Sequence, residues 1–133
     1  MRVNRETDYA LRIMLNLADK KSFTDAANLA EAADVPARFA LKILRKLTAG
    51  GLTVSKKGVS GGYCLNKPPS EINMLQIIEL IDGPIAIAEC LCGNYVCSNT
   101  KGGGPNCAFG QVFDEINGFI SEKLRSATLD SLL

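Results

Sequence analysis

Four of the five cysteines fall within eighteen residues, Cys90, Cys92, Cys97 and Cys107, spaced C-x-C-x4-C-x9-C. Thiolates are soft donors that suit iron–sulfur clusters and zinc. Between the last two stand Lys101, the run Gly102-Gly103-Gly104 and Pro105. A glycine run beside a proline cannot hold a helix, so the thiols lie on a loop. Free cysteines can also be small buried apolar residues, but a glycine-rich loop is a poor place for a core. A pair of disulfides would suit an oxidising compartment. The opening MRVNRETDYA is polar and charged rather than a secretory signal. No apolar run approaches the roughly 20 residues that cross a membrane. A cytoplasmic chain with no membrane partner is therefore expected, and reduced thiols there favour metal or redox chemistry.

Other chemistry is thinly represented. The chain has no histidine, which removes histidine ligation and histidine catalysis. No nucleophile–base motif, acid/base pair or phosphate loop is present, so no enzyme is expected. The glycines at 58–62 and 102–104 lack the strand-then-helix setting of a nucleotide site.

The elements that position the thiols divide by charge. Residues 1–67 hold twelve of the fifteen Lys/Arg and six of the fourteen Asp/Glu, a balance of +6. Residues 68–133 hold three bases and eight acids, a balance of −5. The basic half points to a polyanion, most simply DNA. In TDYALRIMLNLA, helical spacing of Ala10, Leu11, Met14, Leu15 and Ala18 predicts a helix over roughly 6–19, with Thr7 a candidate N-cap. FTDAANLAEAA, residues 23–33, predicts a short second helix within it, capped by Thr24 or Asp25. PARFALKILRKLTA predicts a third over 36–49, with Pro36 at its first position and Gly50-Gly51 at its end. Its apolar stripe is Phe39, Ala40, Ile43, Leu44 and Leu47. Arg38, Lys42, Arg45 and Lys46 take the other side. Two short helices joined by a tight turn, the second basic, fit a helix-turn-helix.

Leu52–Ser55 and Tyr63–Leu65 then read as short strands around a basic, glycine-rich tip holding Lys56, Lys57 and Ser60. Such a hairpin after a helix-turn-helix is a wing. Arg38 would read a base, Lys42 a base or a phosphate, and the wing would meet phosphate or the minor groove. Cys64, in the second wing strand, is assigned to packing. After the break Lys67-Pro68-Pro69, Ser70 can cap a helix carrying Ile72, Leu75 and Ile78, ended by Gly83-Pro84. Beyond Cys107, residues Phe109, Val112, Phe113, Ile116, Phe119, Ile120 and Leu124 fall at helical spacing. That helix has more apolar surface than one small core would use, and a homodimer interface is the economical explanation. Leu129, Leu132 and Leu133 are candidates to dock the last segment.

The fold expected is mainly α with a small β-wing. Residues 1–67 form a winged helix-turn-helix, 68–89 a linking helix, 90–107 a cysteine-rich cluster-binding loop, and 108–133 a dimerisation helix with a C-terminal segment. Together TDYALRIMLNLA, FALKILRKLTAGGL, the wing KKGVSGGYCL and cysteines ahead of a long helix resemble the winged-helix iron–sulfur regulators typified by IscR and NsrR, with CymR as a relative. The resemblance spans nearly the whole chain. It implies a homodimeric transcription factor whose cluster controls binding to a pseudo-palindromic double-stranded DNA operator.

It further implies that Cys90, Cys97 and Cys107 are metal ligands. The histidine that completes the IscR-type site is absent here, since Gly110 stands third after Cys107. In the NsrR type a first-helix aspartate of the partner subunit ligates a [4Fe–4S] cluster, and Asp8 stands at the matching place. Cys92 is the competing fourth ligand. A [4Fe–4S] cluster is favoured over [2Fe–2S]. Where some relatives carry Glu-Gln on the third helix, Leu41 and Lys42 stand here, so the operator sequence does not carry over. Three rivals stay open: zinc on Cys90, Cys92, Cys97 and Cys107; a metal-free thiol switch; and an electron-transfer iron–sulfur protein without a DNA role.

Overall fold

The structure, a computed structural model, describes residues 2–133. Helix α1 (Arg5–Asp19) is followed by α2 (Ala26–Ala33) and α3 (Ala37–Ala49). Two antiparallel strands follow, β1 (Thr53–Lys56) and β2 (Gly62–Leu65), in the register Thr53↔Leu65 to Lys56↔Gly62. Helix α4 (Met74–Asp82) comes next, and α5 (Ala108–Ser126) lies beyond the cysteine loop. The architecture is a mainly helical winged helix, as the sequence predicts.

The first three helices share one core. Ile13, Met14 and Leu17 of α1, Leu29 of α2, and Ile43, Leu44 and Leu47 of α3 are essentially inaccessible to solvent. Each such side chain contributes about 1.5–3 kcal/mol on burial. A smaller cluster of Leu75, Ile78 and Ile85 packs with Ile120 and Leu124 and seats α5 on α4. No helix among the described residues is long and apolar enough to cross a membrane.

The helix starts differ from the sequence expectation. Asn4, not Thr7, caps α1: its Oδ1 accepts the Thr7 N–H at 2.8 Å. Thr7 is itself buried one turn inside. Helix α2 begins at Ala26, and of its two candidate caps Asp25 is the one used, its Oδ1 accepting the Asn28 N–H at 2.9 Å. Residues Phe23 and Thr24 stay extended because Thr24 pairs with Tyr63 of the wing, N–H to O at 3.0 Å and 2.8 Å. That pairing lies between segments far apart in sequence and leaves no local pattern.

Pro36 occupies the cap of α3 rather than its first turn. Ser70 falls in a 3₁₀ turn, Pro69–Glu71. Helix α4 starts after Asn73, which forms a capping box with Gln76 through bonds of 2.9 Å in each direction. In the last segment Leu129 is buried and donates its N–H to Ile72 O at 2.8 Å. Leu132 and Leu133 are exposed.

Gly62 shows why the wing needs glycine. Its φ is +135°, and a Cβ there would lie 2.3 Å from the Thr24 carbonyl oxygen. The wing strand can therefore lie against the chain ahead of α2 only without a side chain at this position.

Candidate functional site

The basic surface is built on α3 and the wing. Burial of Ala40, Ile43, Leu44 and Leu47 turns Arg38, Lys42 and Arg45 outward, while Lys46 is half-buried. The Arg38 guanidinium sits over the Phe39 ring at 5.0 Å, and the Lys56 ammonium over the Phe23 ring at 5.7 Å. Lys56, Lys57, Val59 and Ser60 are all exposed at the wing tip, where Gly61 N–H closes the turn on Gly58 O at 3.1 Å. Lys46 also faces α1, with Nζ 2.6 Å from Glu6 Oε1. Sequence reading missed Glu6, because its partner is forty residues away.

The cysteine loop is built from turns. Asn99 Oδ1 accepts the N–H of Lys101 at 3.2 Å and of Gly102 at 3.0 Å, and Gly103 N–H closes on Asn99 O. A Cβ on Gly103 would stand 2.4 Å from Asn99 O and 2.9 Å from Cys97 Sγ. The glycine run thus lets the loop fold directly over the Cys97 sulfur. Cys107 is the N-cap of α5, and its Sγ accepts the Gly110 N–H at 3.5 Å. Cys97 and Cys107 are half-buried, and Cys90 and Cys92 are exposed.

Cys90, Cys97 and Cys107 line one open cavity of about 770 Å³ with Tyr95, Phe109 and Asp114. Cys92 and Asp8 do not line it. Asp8 instead pairs with Arg12 at 2.6 Å. Among the described residues, no three thiols or carboxylates converge closely enough to hold a metal ion as they stand. The donor chemistry still fits a cluster, with three soft sulfur donors around one cavity. The cavity also holds two carboxylates absent from the sequence reading, Glu89 and Asp114. Asp114 could have been found, since seven residues after Cys107 is two turns along the same helix face.

Cys64 is separate from this site. It is half-buried in β2, opposite Val54, and burial pushes its thiol pKa up. Along α5, Phe109 and Phe119 are 75% and 74% exposed, and the partly covered Val112, Phe113 and Ile116 join them in an apolar face.

A helix-turn-helix with a wing and a thiol-bearing loop defines a class of regulator. The sequence matches the family described as Rrf2, iron-dependent transcriptional regulator, over residues 3–133, and the chain belongs to that family. It is 31% identical to protein aau3 of Rhizobium meliloti over all of this chain and 85% of that protein. It is 30% identical to the HTH-type transcriptional regulator NsrR of Oceanobacillus iheyensis over all of this chain and 90% of that protein. Among solved structures, CymR (YrzC), the global cysteine regulator of B. subtilis, superposes with a TM-score of 0.82 at 26% identity, covering 99% of this chain and 95% of that one. T. potens IscR superposes at 0.76 and 22% identity over 99% and 85%, a likeness of fold. The chain is thus an Rrf2-type transcriptional regulator, and its relatives of that kind are not enzymes.

Proposed function

We propose that this regulator binds a double-stranded operator as a homodimer and that an iron–sulfur cluster on Cys90, Cys97 and Cys107 sets its affinity. One observation carries the reading: these three thiols, and not Cys92, border a single cavity at the start of α5. Two candidates stand for the fourth ligand, Cys92 and Asp8 of the partner subunit, and the one proposed is the aspartate, once it is released from Arg12. A cluster so held would supply an iron with one weak bond, open to nitric oxide, oxygen or a change of redox state. The cluster proposed is [4Fe–4S] rather than [2Fe–2S], as the resemblance to the NsrR type implies, although four protein ligands suit either.

The chain's own part is positional. Cys107 is fixed by the first turn of α5, and Cys90 follows the segment that Asn117 ties to the middle of α5. Joining the two thiols holds the loop against the start of α5. The exposed face of α5 supplies the dimer contact. Recognition helices of a dimer must meet half-sites about 34 Å apart, so a small change at that contact alters affinity. Arg38 would face bases, Lys42 a base or a phosphate, Arg45 and Lys46 phosphates, and Lys56, Lys57 and Ser60 the backbone or the minor groove.

A metal-free thiol switch is the second reading. It is favoured by the lack of three converged donors and by the likeness to CymR, a relative of which is solved in an oxidised form, from Staphylococcus aureus. Anaerobic purification with iron and sulfide analysis and Mössbauer spectra, beside duplex binding before and after Cys90, Cys97 and Cys107 become serines, separates the readings. Iron whose loss changes DNA affinity supports the cluster. Iron-free protein whose affinity changes when an oxidant forms a disulfide supports the switch. Colourless protein with stoichiometric zinc supports a zinc site. Iron without any duplex binding points to electron transfer.

A further inference from the structure

Lys42 and Lys46, one turn apart on α3, face the same carboxylate. Glu6 Oε1 lies 2.6 Å from Lys46 Nζ and 3.9 Å from Lys42 Nζ. The carboxylate is the more sheltered partner, with its side chain 29% exposed against 41% for Lys46 and 61% for Lys42. It also stands in the first turn of α1, which the Asn4 cap holds and which packs on α3 in the common core. Among the described residues, no carboxylate lies within ion-pair distance of Arg38 or Arg45. Of four bases on the reading helix, two are therefore offset by one acid from a neighbouring helix.

Sequence-independent affinity for DNA comes from cations that replace the counterions of phosphate. Lys46 can give its charge to a phosphate only by leaving Glu6, or by bringing a negative charge to within a few ångströms of the backbone. Both routes weaken the contact. We propose that Glu6 is a built-in counter-charge, competing with the phosphate backbone for Lys42 and Lys46 and so setting how much DNA affinity is independent of sequence. The inference rests on the reading that α3 meets DNA. Occupancy of an operator then depends more on Arg38, Arg45 and the wing, which Glu6 does not reach.

Glu6→Gln tests this, since it keeps the shape and an acceptor for Lys46 but removes the charge. The probe is a mixed-sequence duplex, titrated with the full-length chain across a salt series. Affinity at 0.15 M salt is expected to rise about two- to fivefold, the worth of a half-exposed ion pair that DNA no longer breaks. The slope of log affinity against log salt is expected to steepen by about 0.9, one further cation. In a Lys42→Met/Lys46→Met background the same substitution is expected to do nothing. Partial unfolding would weaken binding, the opposite sign. A second measurement avoids Glu6 altogether: Lys46→Met should cost less affinity than Arg45→Met, because Lys46 is already partly offset. If the wild-type chain binds no duplex even at low salt, the DNA reading falls and this inference with it. The inference alone falls if the wild type binds but Glu6→Gln leaves affinity and slope unchanged. It also falls if the gain survives in the double-Met background, or if Lys46→Met costs more than Arg45→Met.

Discussion

Asn117 ties the segment leading into the cysteine loop to the middle of α5. Its Nδ2 donates to Ile85 O at 3.0 Å, and its Oδ1 accepts the Ile87 N–H at 3.1 Å. One side chain thus satisfies a backbone acceptor and a backbone donor, as a neighbouring strand would. Asn117→Ala leaves both groups without that partner. The site is half-buried, so water restores part of the loss, and the cost falls at the lower end for two bonds, about 1–2 kcal/mol. For a chain of this size that lowers Tm by roughly 3–8 °C. Thermal and urea melts measure the total, and hydrogen exchange locates it. Exchange at Ile87 should accelerate while the amides of α1 keep their protection, because the loss lies between the loop and α5. Cys90 should also become easier to alkylate relative to Cys64. An unchanged Ile87 exchange rate, with an unchanged Tm, would refute the assignment of Asn117 as the tie.

Three further outcomes are expected. Gly62→Ala combines a positive φ with a Cβ too close to the Thr24 carbonyl. It should cost about 1–3 kcal/mol in a urea melt and deprotect the Tyr63 amide. Leu129→Ala should cost about 2–5 kcal/mol, the loss of a fully buried leucine, whereas Leu133→Ala should change little. Burial raises the Cys64 thiol pKa, so the folded chain keeps this proton to higher pH than the unfolded chain does. The contribution is full below the ordinary thiol value of about 8.5 and is lost as pH rises through the raised value. A comparison of wild type and Cys64→Ala in urea melts across that range should show the difference shrinking with pH.

Much of the basic surface was legible in the chain itself. The stripes of α1 and α3, the Gly50-Gly51 stop and the basic wing tip are local patterns, and local patterns survive without tertiary context. The thiol spacing and the missing histidine likewise narrowed the chemistry before any coordinates. The helix starts were less legible, because Asn4, Asp25 and Asn73 compete with nearby Thr7, Thr24 and Ser70 as caps. Packing and long-range pairing chose between them: Thr7 is needed in the core, and Thr24 is taken by Tyr63.

By itself, then, the sequence determined the element types, the basic third helix and the presence of a thiol-bearing loop, since each follows from residues within a turn or two of one another. Tertiary structure alone decided that Cys97 and Cys107 share a cavity with Cys90 while Cys92 does not. It also decided that Asn117 holds the chain at Ile85 and Ile87, and that Glu6 meets Lys46 across two helices. The partners of Asn117 and of Glu6 stand thirty or more residues away, and no periodicity along a chain records which distant side chains packing will bring together.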